Sequence, residues 1–203
     1  MAATTGRVRA EQDRAVRRRA AILDAAVRVM ARSGMGALSH RQAAAEAGVP
    51  LGAIRYYFDT REALLLACVE ALDAARSTAA EDAIEAAAEV ADHPAEELGR
   101  LLLLAYYGPD LDDAALRGTI GWVTDCARES PALSDRLAQL RDGVDDELRR
   151  LLDAAGHSRV PARLAGMVID GAVFTATVEA RPGIADHAIA AFCELVECIG
   201  EHR

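Results

Sequence analysis

Apolar residues recur at helical spacing along almost the whole chain, and no stretch alternates as a half-buried strand would. Ile22, Leu23, Ala26, Val27 and Met30 place a helix over Ala15 to Arg32, closed by Ser33-Gly34. A second helix runs from Thr60 to the Ser77-Thr78 region. A weaker one continues to Val90, where Asp92-His93-Pro94 breaks it. Leu98, Leu101, Leu102 and Ala105 mark a helix over Ala95 to Tyr107, ended by Gly108-Pro109. Asp112 to Glu129 follows, with Trp122 on an apolar face and Gly118 and Gly121 permitting a close approach or a bend. Ser130-Pro131 interrupts it, and Ala132 to Ala155 reads as a long amphipathic helix stopped by Gly156. The last two segments are the most apolar. Pro161 to Ala180 is hydrophobic on nearly every face and must be covered on more than one side. After the Arg181-Pro182-Gly183 turn, Ile184 to Ile199 carries one broad apolar stripe opposite Asp186, His187, Glu194 and Glu197. The fold class is therefore all-α, without an internal repeat.

One stretch departs from this plain amphipathic pattern. Ser39 to Phe58 reads SHRQAAAEAGVPLGAIRYYF. Ser39 and Gln42 form a capping box that starts a short helix near His40. Ala43, Ala44 and Ala47 give that helix a face on which another helix can approach closely. Gly48 ends it, because the left-handed C-terminal position suits glycine. Pro50 stands where the next helix opens, a position that tolerates proline. In that second helix Val49, Ile54 and Tyr57 turn to the core, while Arg55 and Tyr56 turn to solvent or DNA. Two helices joined by a tight glycine turn make the helix-turn-helix, whose second helix reads base edges in the major groove. An ordinary helical hairpin with an alanine-rich interface has the same spacing, so the neighbouring segments matter. The helix ending at Arg32 packs across the motif and completes a three-helix domain. DTREALLLACVEAL after Phe58 opens a further helix capped by Asp59 or Thr60, with Arg61 in its first turn.

Together, residues 15 to 72 resemble the DNA-binding domain of the tetracycline-repressor (TetR) family. The matching signature is AAVRVMARSGMGALSHRQAAAEAGVPLGAIRYYFDTREALL, Ala25 to Leu65. The rest of the chain matches only in length and helical pattern. The resemblance implies a flexible basic arm over 1–14, a three-helix helix-turn-helix domain over 15–60, and a helical ligand-binding and dimerisation domain over 61–203. It implies DNA contact from Ser39, Arg41, Ala53, Arg55, Tyr56, Tyr57 and Arg61. Arg41 lies where the family often holds a base- or phosphate-contacting residue, and Arg61 where a phosphate-contacting Lys is usual. Arg55 departs from a commoner Tyr and so could read a base; an Arg fork on guanine is worth ~1–3 kcal/mol of discrimination. Ala53 replaces a frequent Thr and loses its hydroxyl. Phe58 is expected to pack.

Charge sharpens this division. The net charge of −9 hides a split: residues 1–61 hold 11 Arg and 5 acids, residues 62–203 hold 12 Arg and 27 acids. A basic head on an acidic body is what attraction to phosphate predicts. It also argues against a nonspecific architectural binder. All 23 basic residues are Arg, a bias best explained by base composition of the gene. In the first 12 or so residues, expected to be disordered, Arg7 and Arg9 are read as a solvated tail; Arg17 to Arg19, at a helix start near DNA, are read as phosphate contacts.

The apolar runs are too short to span a bilayer and no signal peptide is read, so a cytoplasmic protein is expected. Cys68, Cys126, Cys193 and Cys198 lack zinc spacing and are expected as reduced thiols. The five His are scattered, and no nucleophile, carboxylate-pair or phosphate-loop constellation appears. We expect no enzyme, no metal and no cofactor.

The resemblance further implies a homodimeric repressor, released from a palindromic double-stranded operator by a small-molecule effector. An activator, or a regulator without a ligand, is a variant of the same reading. The terminal helices are the candidate dimer interface through Leu164, Val168, Ile184, Ala188, Phe192, Leu195 and Ile199. Lining only the monomer core is their alternative role. Candidate effector contacts are Tyr106, Tyr107, Trp122, Cys126, Met167 and Phe174.

Overall fold

The computed structural model describes residues 2–90 and 93–200, with side chains from residue 12 onward; every absence stated below is one among these residues. The order is α1 (Ala2–Ser33), a single 3-10 turn (Met35–Ala37), α2 (His40–Ala47), α3 (Leu51–Tyr57), α4 (Arg61–Glu89), α5 (Ala95–Tyr107), α6 (Asp113–Glu129), α7 (Pro131–Ala154), α8 (Ala162–Val178) and α9 (Ile184–Gly200). No strand occurs among the described residues. The chain divides into two compact units, Met1–Ala71 and Leu72–Arg203. The division falls within α4, later than the boundary at 60/61 that the motif suggested.

Two helices are longer than expected. Residues 2–14, read as a flexible arm, continue α1 instead. They contain no proline, and Ala, Arg, Gln and Glu all suit a helix; Gly6 opposes it most, by about 1 kcal/mol, and Thr4, Thr5, Val8 and Asp13 less. The break expected near Ser77-Thr78 is also absent, since α4 runs through it. Both hydroxyls have partners that leave the helix intact. Thr78 Oγ1 donates to the Ala74 carbonyl at 3.0 Å, and Ser77 Oγ donates to Glu147 at 2.6 Å. The Asp92 part of the Asp92-His93-Pro94 break lies outside the described residues; Pro94 stands at the start of α5.

The first unit is small and tightly centred. Ile22, Ala25, Ala26, Val29 and Met30 of α1, Met35, Leu38, Ala43 and Ala44, Ile54 and Phe58, and Leu64, Leu65, Cys68 and Val69 are all buried. Val29, rather than Val27, belongs to the inward stripe. At about 1.5–3 kcal/mol for each fully buried large aliphatic side chain, these contacts hold the short helices that could not persist alone.

The second unit has its own core. Leu98, Leu102 and Leu103 of α5, Leu148, Leu151 and Leu152 of α7, Ile169 and Val173 of α8, and Ile184, Ala188 and Phe192 of α9 meet there. α5 and α9 approach closely because Gly99 has no side chain; a Cβ there would lie 3.3 Å from Ile189 Cγ2 and 3.4 Å from Phe192 Cδ1. Polar pairs then tie distant segments. Arg76 donates to Glu147 at 2.5 Å and to the Ala105 carbonyl at 2.8 Å, and both charged side chains are only 12% exposed. The Asp113 carboxylate accepts the Ile184 and Gly183 N–H groups at 2.9 and 3.1 Å. It thereby caps α9 from another helix, and the bond from Ile184 leads in holding its pKa below the usual carboxylate range.

Candidate nucleic-acid interface

The motif folds as its residues dictate. Ser39 Oγ accepts the Gln42 N–H at 3.2 Å and opens α2. Gly48 closes it at φ 64° and ψ 33°, with its N–H on the Ala45 carbonyl and the Val49 N–H on the Ala44 carbonyl. This is the Schellman ending, in which the left-handed residue suits glycine. α3 follows from Pro50 with Ile54 buried beneath it. That one anchor orients the helix and turns Arg55 and Tyr56 outward; Tyr56 is 83% exposed, unusual for so large an aromatic. Tyr57 is half-buried and meets Tyr56 edge-on at 5.1 Å. Arg41 is exposed near the start of α2, and Ala53 and Ser39 are half-buried.

Arg61 does something sequence reading missed. Its Nε donates to the Leu38 carbonyl at 2.7 Å and its Nη2 to the Met35 carbonyl at 3.0 Å. These bonds hold the 3-10 turn that leads into α2, so Arg61 positions the motif from behind. Two further contacts were also invisible in the sequence. His40 Nε2 donates to the Phe58 carbonyl at 2.9 Å, joining the start of α2 to the end of α3. Glu46 accepts from Arg28 at 3.1 Å and Arg32 at 2.9 Å, fixing α2 to α1. The bond from Arg32, then that from Arg28, holds the Glu46 pKa below its ordinary value. The only sequence signal for either was a polar residue on an otherwise small-residue helix.

An outward Arg–Tyr pair on a short, rigidly seated helix, with a second exposed Arg at the head of its partner, can reach base edges and phosphates together. The profile of the family described as bacterial regulatory proteins, tetR family, matches residues 22–68, the stretch that builds this surface. The chain belongs to the TetR family. It is a DNA-binding transcriptional regulator. The solved structure of the multidrug binding protein EbrR complexed with ethidium is 31% identical, over 88% of this chain and 97% of that one, with a TM-score of 0.63. A TetR-family member from Streptomyces coelicolor A3 is 27% identical over 88% and 97%, with a TM-score of 0.65. A TetR transcription regulator from Haloarcula marismortui shares the fold at a TM-score of 0.70, with 21% identity over 90% and 98%. None of the curated proteins compared with this chain matches it.

In the second unit of this TetR-family chain, several expected site residues fall elsewhere. Ile184, Ala188 and Phe192, expected at a dimer interface, have no exposed surface within a single chain, because they face its own core. Val168, Leu195 and Ile199 are half-buried, and Leu164 is exposed. Phe174, expected in a ligand pocket, is 51% exposed on α8 and lines no described cavity; Met167, expected there too, is 61% exposed but borders an open groove. With Leu164, Gly171 and Val178 they form an exposed row at alternating spacings of three and four residues. That is the spacing with which one helix can meet another. Its other face, with Ala165, Ile169, Val173 and Ala176, is the buried one, which accounts for a helix apolar all round. Beside the row runs an open groove of about 440 Å³ between α8 and α9, lined by Met167, Gly171, Thr175, Arg181, His187 and Ala191 among others.

The remaining effector candidates are partly brought together. Tyr106 and Tyr107 lie with ring centres 4.9 Å apart. Tyr107 donates to Asp170 at 2.8 Å, Arg141 donates to the Tyr106 hydroxyl and lies over its ring, and Arg141 also pairs with Asp170 at 3.4 Å. Burial first, then Asp170, pushes the Tyr107 phenol well above its ordinary pKa. Trp122 is half-buried and Cys126 fully buried on α6. Burial pushes the Cys68 and Cys126 thiols up to about 12, so both stay protonated and unreactive at neutral pH. Among the described residues no helix is long and apolar enough to cross a membrane, and no His, Cys, Asp or Glu group could hold a metal.

Proposed function

We propose that this chain is a homodimeric repressor, released from a palindromic operator by a small-molecule effector. The observation that carries the reading is the outward face of α3, where Arg55 and Tyr56 stand exposed above buried Ile54. Arg41, Ala53, Tyr57 and Ser39 complete the contact surface, and Arg61, at the start of α4, supports it by holding the 3-10 turn. One reading head per chain contacts one half-site, so pairing of two chains doubles the contacts and mirrors the operator's symmetry. The exposed row Leu164, Met167, Phe174 and Val178 supports that pairing, since an apolar row of this kind is covered in a functioning protein. It replaces the inward residues of α9 as the interface.

For the effector, the relative EbrR has been solved with ethidium, with malachite green and with proflavin. All three are aromatic cations with delocalised charge. We extend that class to this chain, with Trp122, Tyr106, Tyr107 and Cys126 as contacts. The effector acts only if it binds the DNA-free arrangement better than the bound one.

The test is selection from random duplex DNA with the purified protein, repeated with malachite green present. A palindromic consensus that is lost with the dye supports each part. A consensus insensitive to every aromatic cation would remove the effector class. No consensus at all would remove specific reading. Arg55→Ala should then weaken binding by ~1–3 kcal/mol and relax preference at one base position per half-site. Equal weakening on all sequences would make Arg55 a phosphate clamp.

A further inference from the structure

The arginines of α1 divide into two groups by what they touch. Arg28 and Arg32, near its C-terminal end, are both neutralised by Glu46 of α2. Arg17 and Arg18, in its N-terminal half, are exposed, and no carboxylate lies within ion-pair distance of either among the described residues. Between the two groups the helix is locked into the first unit by Ile22, Ala25 and Ala26.

Arg19 shows which way the N-terminal half faces. It continues the inward stripe of Ile22, Ala26 and Met30 by one turn, which carries its guanidinium over the Phe58 ring, 5.2 Å from the centre. Phe58 directly follows α3, and its carbonyl accepts from His40 at the head of α2. The rigid part of α1 therefore passes beside the junction from which Arg41 and Arg55 project. Arg14, Arg17 and Arg18, at spacings of three and one, fall on one flank of that helix.

We propose that Arg17 and Arg18, with Arg14 beside them, form a ridge that grips the phosphate backbone of duplex DNA next to the bases read by α3. The proposal rests on the DNA-reading function given above and adds a second, sequence-independent contact to it. Three observations favour phosphate as the occupant. The ridge carries three arginines against the single acid Asp13, it adjoins Arg19 at the Phe58 junction, and it sits on a helix rather than a free tail. Its charges are thus held in place before DNA arrives, which lowers the ordering cost of the contact. Guanidinium forks suit phosphate oxygens. Such contacts position the protein on the duplex without carrying sequence information.

The experiment measures affinity of the full chain for its selected duplex, and for an unrelated duplex, across a range of salt. Wild type is compared with Arg17→Gln/Arg18→Gln and with Arg17→Lys/Arg18→Lys. Loss of two phosphate contacts lowers the slope of log affinity against log salt by about 1.8 and weakens binding near physiological salt by roughly thirtyfold. The loss should be equal on both duplexes, the selected consensus should not change, and the Lys pair should keep the slope. Both positions are exposed on a helix, so thermal unfolding should be unaltered. An unchanged slope in the Gln pair, with the wild-type consensus intact, overturns the ridge alone. A loss confined to the selected duplex also overturns it, because it would mean base reading. A wild-type chain that binds no duplex overturns the ridge together with the reading beneath it.

Discussion

The two units of this chain differ in one respect of charge: only the second holds a nearly buried ion pair among those described. In the first, the fold-holding ion pairs are at the surface: Glu46 joins Arg28 and Arg32, whose side chains are more than half exposed. In the second, Arg76 and Glu147 are almost buried, and they bind together segments 71 positions apart. The exposed pairs can be rearranged at small cost, since such pairs contribute between zero and about 1 kcal/mol. The buried pair cannot, since removing one partner leaves a charge in a poor solvent. The first unit thus keeps these ion pairs outward. The second keeps the Arg76 cluster inward, carries its other ion pairs at the surface, and leaves apolar surface outside as well.

That outer apolar surface makes the row of α8 the point of greatest leverage. Phe174→Arg together with Met167→Arg places two charges in the row without touching the core of either unit. A dimer joined there should fall apart, and sedimentation should report the mass of one chain. Operator affinity should fall by roughly 10²–10⁴-fold, the advantage that linking two reading heads provides. Helical content should stay as in the wild type. A doubled mass in the variant would place the interface elsewhere on the second unit.

A smaller effect tests the contrast itself. Arg76→Ala should destabilise the second unit by about 3–5 kcal/mol, because Glu147 then loses its direct ion-pair partner and keeps the Ser77 hydrogen bond and the charge of Arg150, which is itself paired with Glu81. Arg28→Ala should cost under about 1 kcal/mol, because Arg32 still holds Glu46 in an exposed setting. Thermal or denaturant unfolding measures both. Equal losses would mean that burial does not separate the two pairs.

The same contrast explains what the sequence disclosed. The reading surface was legible because its determinants are local. Ser39 and Gln42 are three residues apart, Gly48 and Val49 are adjacent, and Ile54 fixes the outward face for its immediate neighbours Arg55 and Tyr56. The boundaries of α5, α6, α8 and α9 were legible for the same reason, in Pro94, Asp112, Pro161 and Gly183. The supporting contacts were not. Arg61 reaches the Leu38 carbonyl 23 positions back, and Asp113 caps α9 from 71 positions away; neither pairing leaves a periodic trace. On α9 the apolar stripe was visible but its direction was not, so Ile184, Ala188 and Phe192 were assigned outward when they face in. On α8 the exposed row could have been found, since Leu164, Met167, Gly171, Phe174 and Val178 keep the three-four spacing throughout. Helix α4 ran on because alanine-rich sequence tolerates Ser77 and Thr78 once their hydroxyls have partners.

The smallest effect comes from one backbone motif that both units use. α2 ends at Gly48 with N–H groups of residues 48 and 49 on the carbonyls of Ala45 and Ala44. α8 ends in the same pattern, with Ala180 N–H on Thr177 and Arg181 N–H on Ala176. The left-handed position is glycine in the first case, φ 64°, and alanine in the second, φ 54°. An L side chain there costs about 1–2 kcal/mol, while glycine costs about 0.5–1 kcal/mol more chain entropy on folding. A Cβ on Gly48 would meet nothing within 4 Å, so the backbone term stands alone. Gly48→Ala should therefore destabilise the first unit by about 0.5–1 kcal/mol, and Ala180→Gly should stabilise the second by a similar amount. Unfolding midpoints of the two variants should move in opposite directions. If Ala180→Gly instead lowers the midpoint, the Ala180 methyl makes a contact that outweighs its strain, and the two helix endings are alike in hydrogen bonding only.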